Sequence, residues 1–136
     1  MSNYWRSPIE MDGKTWPTTE HYFQAQKFPT RPEHQEAIRV EENCDKAKEM
    51  GYQSEGFRKD WGAVKDQVMY EALLAKFTQH TDLAEKLIKT GNAQIVEHTE
   101  EDKYWGDGGD GGNDTIGKNM LGKTLMRVRE AIQQKL

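Results

Sequence analysis

Apolar residues recur at helical spacing through much of this chain and alternate loosely near its start. In "WGAVKDQVMYEALLAKFTQH", Val64, Val68, Leu73 with Leu74, and Phe77 fall at near-helical intervals, and Lys65, Asp66, Glu71 and Lys76 fall outward. That spacing predicts an amphipathic helix. "TDLAEKLIKTG" predicts another, capped by Thr81 or Asp82 and stopped at Gly91. "GKNMLGKTLMRVREAIQQKL" predicts a last helix with Leu121, Leu125, Val128 and Ile132 on its buried stripe. Upstream, "PTRPEHQEAIRVEENCDKAKEMG" holds a helix after Pro32 and a shorter one ending at Gly51. "SPIEMDGKTW" alternates across Asp12-Gly13, a strong hairpin-turn signal. "WPTTEH" reads as a helix entry, with Thr18 as N-cap and Glu20 in the electropositive first turn. "AQIVEH" is a short strand candidate. The composite is an α+β chain, a compact, predominantly helical single domain over 1–136 with a few short strands.

Composition narrows the function classes. A chain of 136 residues can bury one core but not two ordinary ones. Aromatics at 10%, including four Trp, argue against a disordered segment. A formal charge of −4 gives no broad basic field, which argues against strong non-specific binding to duplex DNA and leaves local recognition of a nucleotide open. Cys44 is the only cysteine, so neither an intrachain disulfide nor a cysteine-based zinc site can form. The start, "MSNYWRSPIEMDG", has no apolar signal-peptide core, and no stretch approaches 18 consecutive apolar residues. The expectation is a soluble intracellular protein, cytoplasmic or nuclear, a monomer with no membrane partner.

Two stretches carry candidate chemistry. In "TTEHYFQAQKF", Glu20, Gln24 and Lys27 stand at i, i+4 and i+7, so on a helix an acid, an amide and an amine share one edge beside Phe23. Glu20 and Lys27 would then be about 10 Å apart along the axis, too far for a direct pair but able to flank one small ligand. A carboxylate can act as general acid or base. A desolvated, neutral lysine can attack a carbonyl carbon. The plain alternative is a solvated helix face without a role. Pattern alone reaches a polar ligand site of sugar-phosphate type and nothing narrower.

The second stretch is "EHTEEDKYWGDGGDGGNDTIGKN", an acidic, glycine-rich loop running into a helix start, where backbone amides can approach an anion. Gly112 to Lys118 fits the spacing of a phosphate loop, but Asn119 stands where Ser or Thr would hold magnesium, and no buried strand leads in. An EF-hand register fails from Asp107 and from Asp110, because position 3 is glycine each time. A solvated acidic loop is the plain alternative. Trp61 and Trp105 are candidate stacking surfaces as well as candidate core residues. His21 and His98 lack metal-ligand spacing, so no metal is assigned.

Three stretches in order, "SPIEMDGKTWPTTEHYFQAQKF", "RKDWGAVKDQVMYEALLAKF", and "IVEHTEEDKYWGDG" with "GKNMLGKTLMRVR", together resemble the NADAR family, named for its association with NAD and ADP-ribose. The resemblance runs from about residue 2 to the C-terminus and implies a mostly helical α+β domain that cleaves N-glycosidic bonds to ribose-phosphate-type sugars. The family's substrate classes are early riboflavin-pathway intermediates and ADP-ribose attached to guanine bases. On that resemblance Glu20, Gln24 and Lys27 line the ribose pocket. Lys27 traps the ring-opened sugar as a Schiff base, and Glu20 moves protons during ring opening and base departure. Asp102 matches a second acidic position that assists acid–base work or orients the sugar. Trp61 and Trp105, the latter followed by Gly106, match the family's stacking tryptophans. Asp107, Asn119 and the backbone near Gly117 hold ribose hydroxyls or phosphate, and Asn3 enters the site from the N-terminal segment. No cofactor is implied.

The resemblance implies removal of ADP-ribose from modified guanine, in single-stranded DNA or as a nucleoside. Its alternatives are cleavage of a phosphoribosyl riboflavin intermediate, or an ADP-ribose or NAD sensor that binds without cleaving. Two features depart from the family. Its members usually carry an aromatic strand ahead of the Ser-Asn pair, where this chain begins. The loop here is also longer and more acidic, which disfavours extended duplex contact more than a flipped-out or single-stranded nucleotide.

Overall fold

Asp12 and Gly13 both take positive φ, 55° and 75°, as the tight two-residue hairpin turn requires. They join β1 (Ile9–Met11) to β2 (Lys14–Trp16), antiparallel, with Ile9 opposite Trp16 and Met11 opposite Lys14. The register pairs Ile9 with Trp16 at the open end of the ladder, and both are buried in the core. The structure is a computed structural model and describes residues 7–91, 93–94 and 120–134. The chain divides into two compact units, residues 1–79 and 80–136.

In the first unit Thr18, in extended conformation, caps α1 (Thr19–Ala25), and its hydroxyl oxygen accepts from His21 N–H at 3.2 Å. The His21 ring continues the network. Its Nε2 faces the Glu41 carbonyl at 2.6 Å, which can only accept, so Nε2 carries the proton and Nδ1 accepts from the Thr18 hydroxyl at 2.8 Å. Replacing Thr18 by alanine removes the cap and the ring's partner together. Urea denaturation should show a loss of about 1–2 kcal/mol, the upper part of the range for a lost N-cap.

Pro32, with no amide proton to satisfy, opens α2 (Pro32–Val40), and the Asn43 side chain caps α3 (Cys44–Met50) by accepting from Asp45 and Lys46 N–H. The long α4 (Trp61–Gln79) buries Trp61, Met69, Ala72, Leu73, Lys76 and Phe77. The expected stripe is therefore rotated: Val64, Val68 and Leu74 are only half-buried, and Lys76, expected outward, is buried. Lys76 follows Ala72 by four positions and so stands on the same face, its aliphatic stem packing as an apolar chain. The core of this unit gathers Ile9, Trp16, Tyr22, Ala25, Phe28, Ile38, Ala47 and Ala72. Gln79 ties the end of α4 to the hairpin, its amide exchanging two hydrogen bonds with the Glu10 backbone at 2.8 and 2.9 Å.

The second unit contains α5 (Thr81–Lys89) and α6 (Met120–Gln134). His80, not Thr81 or Asp82, occupies the N-cap of α5 and gives no side-chain cap bond, because the helix begins one residue earlier than the hydroxyl and carboxylate signals suggest. Leu83, Ala84 and Leu87 of α5 are buried, and Leu121, Leu125, Val128 and Ile132 of α6 are buried as the pattern predicts. Arg129 donates to the Thr90 hydroxyl at 2.7 Å, joining α6 to the end of α5. Gly91 takes the positive φ of 61° expected of a helix stop. Most of the strand candidate "AQIVEH" lies outside the described residues. Six helices and one two-stranded sheet among those residues make the predominantly helical α+β fold that the sequence predicts.

Candidate active site

All seven residues of α1 are buried, although four of them are polar. The row of Glu20, Gln24 and Lys27 is therefore interior, which overturns the reading as a solvated face. The helix ends at Ala25, so Lys27 lies just beyond it, in a turn where its N–H donates to the Gln24 carbonyl at 3.2 Å. The Lys27 carbonyl accepts from Arg58 N–H at 2.9 Å, fastening the 51–61 tract against this turn.

The side chains form a directed chain. Gln24 Nε2 donates to Glu20 Oε1 at 2.6 Å. Gln24 Oε1 is buried and without a hydrogen-bond partner among the described residues. A methyl group added at Gly51 would lie 1.8 Å from that oxygen and 3.2 Å from Lys27 Nζ. Gly51 has φ of −76°, open to any residue, so what requires glycine is this close approach and not the backbone.

The Lys27 amine sits among three aromatic rings, 5.8 Å from the centroid of Phe23, 5.5 Å from Tyr52 and 5.8 Å from Trp61. With Lys27 only 8% exposed, burial pushes its pKa below the ordinary lysine value. Glu20 pulls it back up, and the positive charges of Lys48 and Lys65 push it down. Aromatic faces attract the ammonium, but desolvation is the larger influence, so the amine is biased toward its neutral, nucleophilic form. Trp61 is packed edge-on against Phe23 at 4.9 Å and is core and site wall at once.

Lys27 and Trp61 line a cleft of about 590 Å³ whose other walls come from Gly51 to Ser54 and Phe57 to Lys59. Tyr52, 70% exposed, offers its ring to this space. Sequence reasoning reached Glu20, Gln24, Lys27 and Trp61, and the fold brings these four together. It missed the cleft wall. The run "GYQSEGF" ahead of the family-like "RKDW" has no periodicity and no motif, and its one signal is the placing of aromatic residues close to basic ones. Asn3, Asp102, Trp105, Gly106, Asp107, Gly117 and Asn119, with His98, lie outside the described residues. Among the described residues no group of three or more His, Cys, Asp or Glu is placed to hold a metal ion. No helix among them is long and apolar enough to cross a membrane.

The sequence model of the NADAR domain matches residues 1–133. The chain belongs to the NADAR domain family. This NADAR domain is 50% identical to the N-glycosidase YbiA of Escherichia coli over 96% of its own length and 79% of that protein's. The NMR structure of YbiA superposes with a TM-score of 0.87, covering 98% of this chain and 77% of that one. An N-glycosidase of Nostoc punctiforme is 40% identical over 99% of this chain and 86% of its own. A riboflavin biosynthesis protein of Vibrio vulnificus is 37% identical over 98% of this chain, which spans 35% of that protein. This NADAR domain is an enzyme, a glycoside hydrolase of N-glycosyl bonds.

Proposed function

We propose that this enzyme removes ADP-ribose from modified guanine bases through a lysine Schiff base, with Lys27 as the nucleophile and Glu20 as the acid–base group. The observation that carries this reading is a buried amine, biased to its neutral form, at the wall of a cleft large enough for a nucleotide. The neutral Lys27 nitrogen attacks the anomeric carbon, forming the N–C1 bond as the C1–base bond breaks. The base leaves with a proton. The sugar ring then opens: C1–O4 breaks, O4 takes a proton, and C1 becomes doubly bonded to a protonated Lys27 nitrogen. Water adds to C1, the nitrogen–carbon bond breaks, and the sugar leaves as its aldehyde. Glu20, whose carboxylate accepts from Gln24 Nε2, is the acid–base group that moves the protons in this reading.

Tyr52 and Trp61 supply faces on which a base can stack, and Lys59 adds positive charge for phosphate at the rim. Asp102, Asn3, Trp105 with Gly106, Asp107, Gly117 and Asn119 complete the site in this proposal, and the chain works as one domain and as a monomer. The second reading is cleavage of a phosphoribosyl riboflavin intermediate, favoured by the name of the Vibrio vulnificus relative. The test is a short single-stranded DNA carrying ADP-ribosylated guanine, followed by intact mass. Loss of the ADP-ribose mass with the wild type, and not with Glu20→Ala, is the outcome expected. An unchanged oligonucleotide overturns the guanine reading. Stronger competition by ribose 5-phosphate than by ADP-ribose would then favour the riboflavin-type substrate.

A further inference from the structure

The amide of Gln24 is engaged at one end only. Its orientation is fixed because the Glu20 carboxylate can only accept, so the NH₂ end faces Glu20 and the carbonyl points away. That carbonyl oxygen is buried with no donor among the described residues, a costly state for a polar atom. It borders the same small volume as Lys27 Nζ, and the volume stays clear because residue 51 has no side chain. In the free enzyme that oxygen is closed off from solvent. The Lys27 nitrogen is the donor beside it.

We infer that Gln24 Oε1 is a positioning acceptor held for the Lys27 nitrogen in its covalent state, and that Gly51 keeps this acceptor in place. The inference rests on the Schiff-base reading above. The free amine directs its lone pair at the sugar. Once the carbon–nitrogen double bond forms, the nitrogen is planar, positively charged and left with one N–H. A bond from that N–H to Oε1 fixes the plane of the double bond and presents one face of C1 to water. Glu20 strengthens the acceptor from the far end of the amide without transferring a proton, since its negative charge polarises the NH₂ that it binds. Lys27 becomes better hydrogen-bonded in the intermediate than in the free enzyme, which is the differential stabilisation that accelerates a reaction.

The experiment uses the full chain and ribose 5-phosphate, whose open-chain aldehyde condenses with an amine, losing water, with no base to expel. Borohydride reduces the C=N bond to a stable secondary amine, and intact mass and peptide mapping give the rate of labelling at Lys27. Gln24→Met, similar in length and without the carbonyl, should label about 10- to 100-fold more slowly, the loss expected of one hydrogen bond to a charged nitrogen. Its half-saturating sugar concentration and melting temperature should stay near those of the wild type. Gly51→Ala should cause a comparable loss in the wild type but a smaller further loss in a Gln24→Ala background, where only the 3.2 Å approach to the flexible end of Lys27 remains. A purely structural role would slow labelling only in proportion to unfolding. Wild-type labelling rates in Gln24→Met, or an equal cost of Gly51→Ala in both backgrounds, would overturn the inference alone. A wild type that forms no adduct would overturn the Schiff-base reading, and the inference with it.

Discussion

Lys27→Ala should lower kcat/KM at least about 1,000-fold and abolish the borohydride adduct, because in the proposed mechanism the amine is the bond-forming atom and not one contact among many. The Lys27 amine stands against the rings of Phe23, Tyr52 and Trp61 at the cleft wall. Lys27→Met separates chemistry from folding. The folded-state pKa of Lys27 lies below its unfolded value, so in the window between them the unfolded chain binds more protons. Stability from this group falls as pH drops through that window from the ordinary lysine range, and at neutral pH the buried amine is a cost. Removing it should raise stability by about 0.5–2 kcal/mol while activity vanishes, the exchange expected where a functional group is held against its solvation preference. Thermal melting beside an activity assay checks both. A Lys27→Met protein that melts lower, or a Lys27→Ala protein that turns over, would contradict the assignment.

Glu20→Gln should reduce kcat by about 100- to 10,000-fold, the usual worth of a positioned acid–base group. The substitution is nearly isosteric, and its carbonyl can still accept from Gln24 Nε2, so the row stays assembled. The pH profile should change in a direction that a simple loss of structure would not produce. In the proposed mechanism attack requires neutral Lys27, so the acid limb of kcat/KM should report the Lys27 pKa. Among the charges that shift this amine, Glu20 favours its charged form, whereas Lys48 and Lys65, like burial, disfavour it. Without the carboxylate the pKa drops further, and the acid limb moves to lower pH even as the maximum rate falls. A limb that stays in place, or moves upward, would place Glu20 outside the charge environment of Lys27.

Much of the fold is legible in local chemistry. Asp12-Gly13 makes its turn, Thr18 its cap, Pro32 its helix start and Gly91 its stop, because each depends on one residue's backbone preferences or on a side chain reaching a near neighbour. The site is legible in part, for a related reason. The spacing of Glu20, Gln24 and Lys27 survives into the structure, but their burial does not follow from residue type, since nothing about Thr, Glu, His and Gln announces an interior helix. Lys76 escapes prediction in the same way. The part played by Gly51 depends on which long-range neighbour its missing side chain would strike, and the cleft wall from Tyr52 to Lys59 depends on a turn being fastened to Lys27. Contacts of that kind between distant segments leave no periodic trace in a single sequence.

The complete burial of α1 has a consequence for how the enzyme fails. A reactive group on a surface loop can be lost by local loosening while the rest of a protein survives. Here the segment that carries the acid and the amide has no exposed side, so its amide protons can exchange with solvent only when the surrounding core opens. Glu20 and Gln24 cannot soften ahead of their scaffold. Loss of activity on heating and cooperative melting of the core are, for this helix, one event.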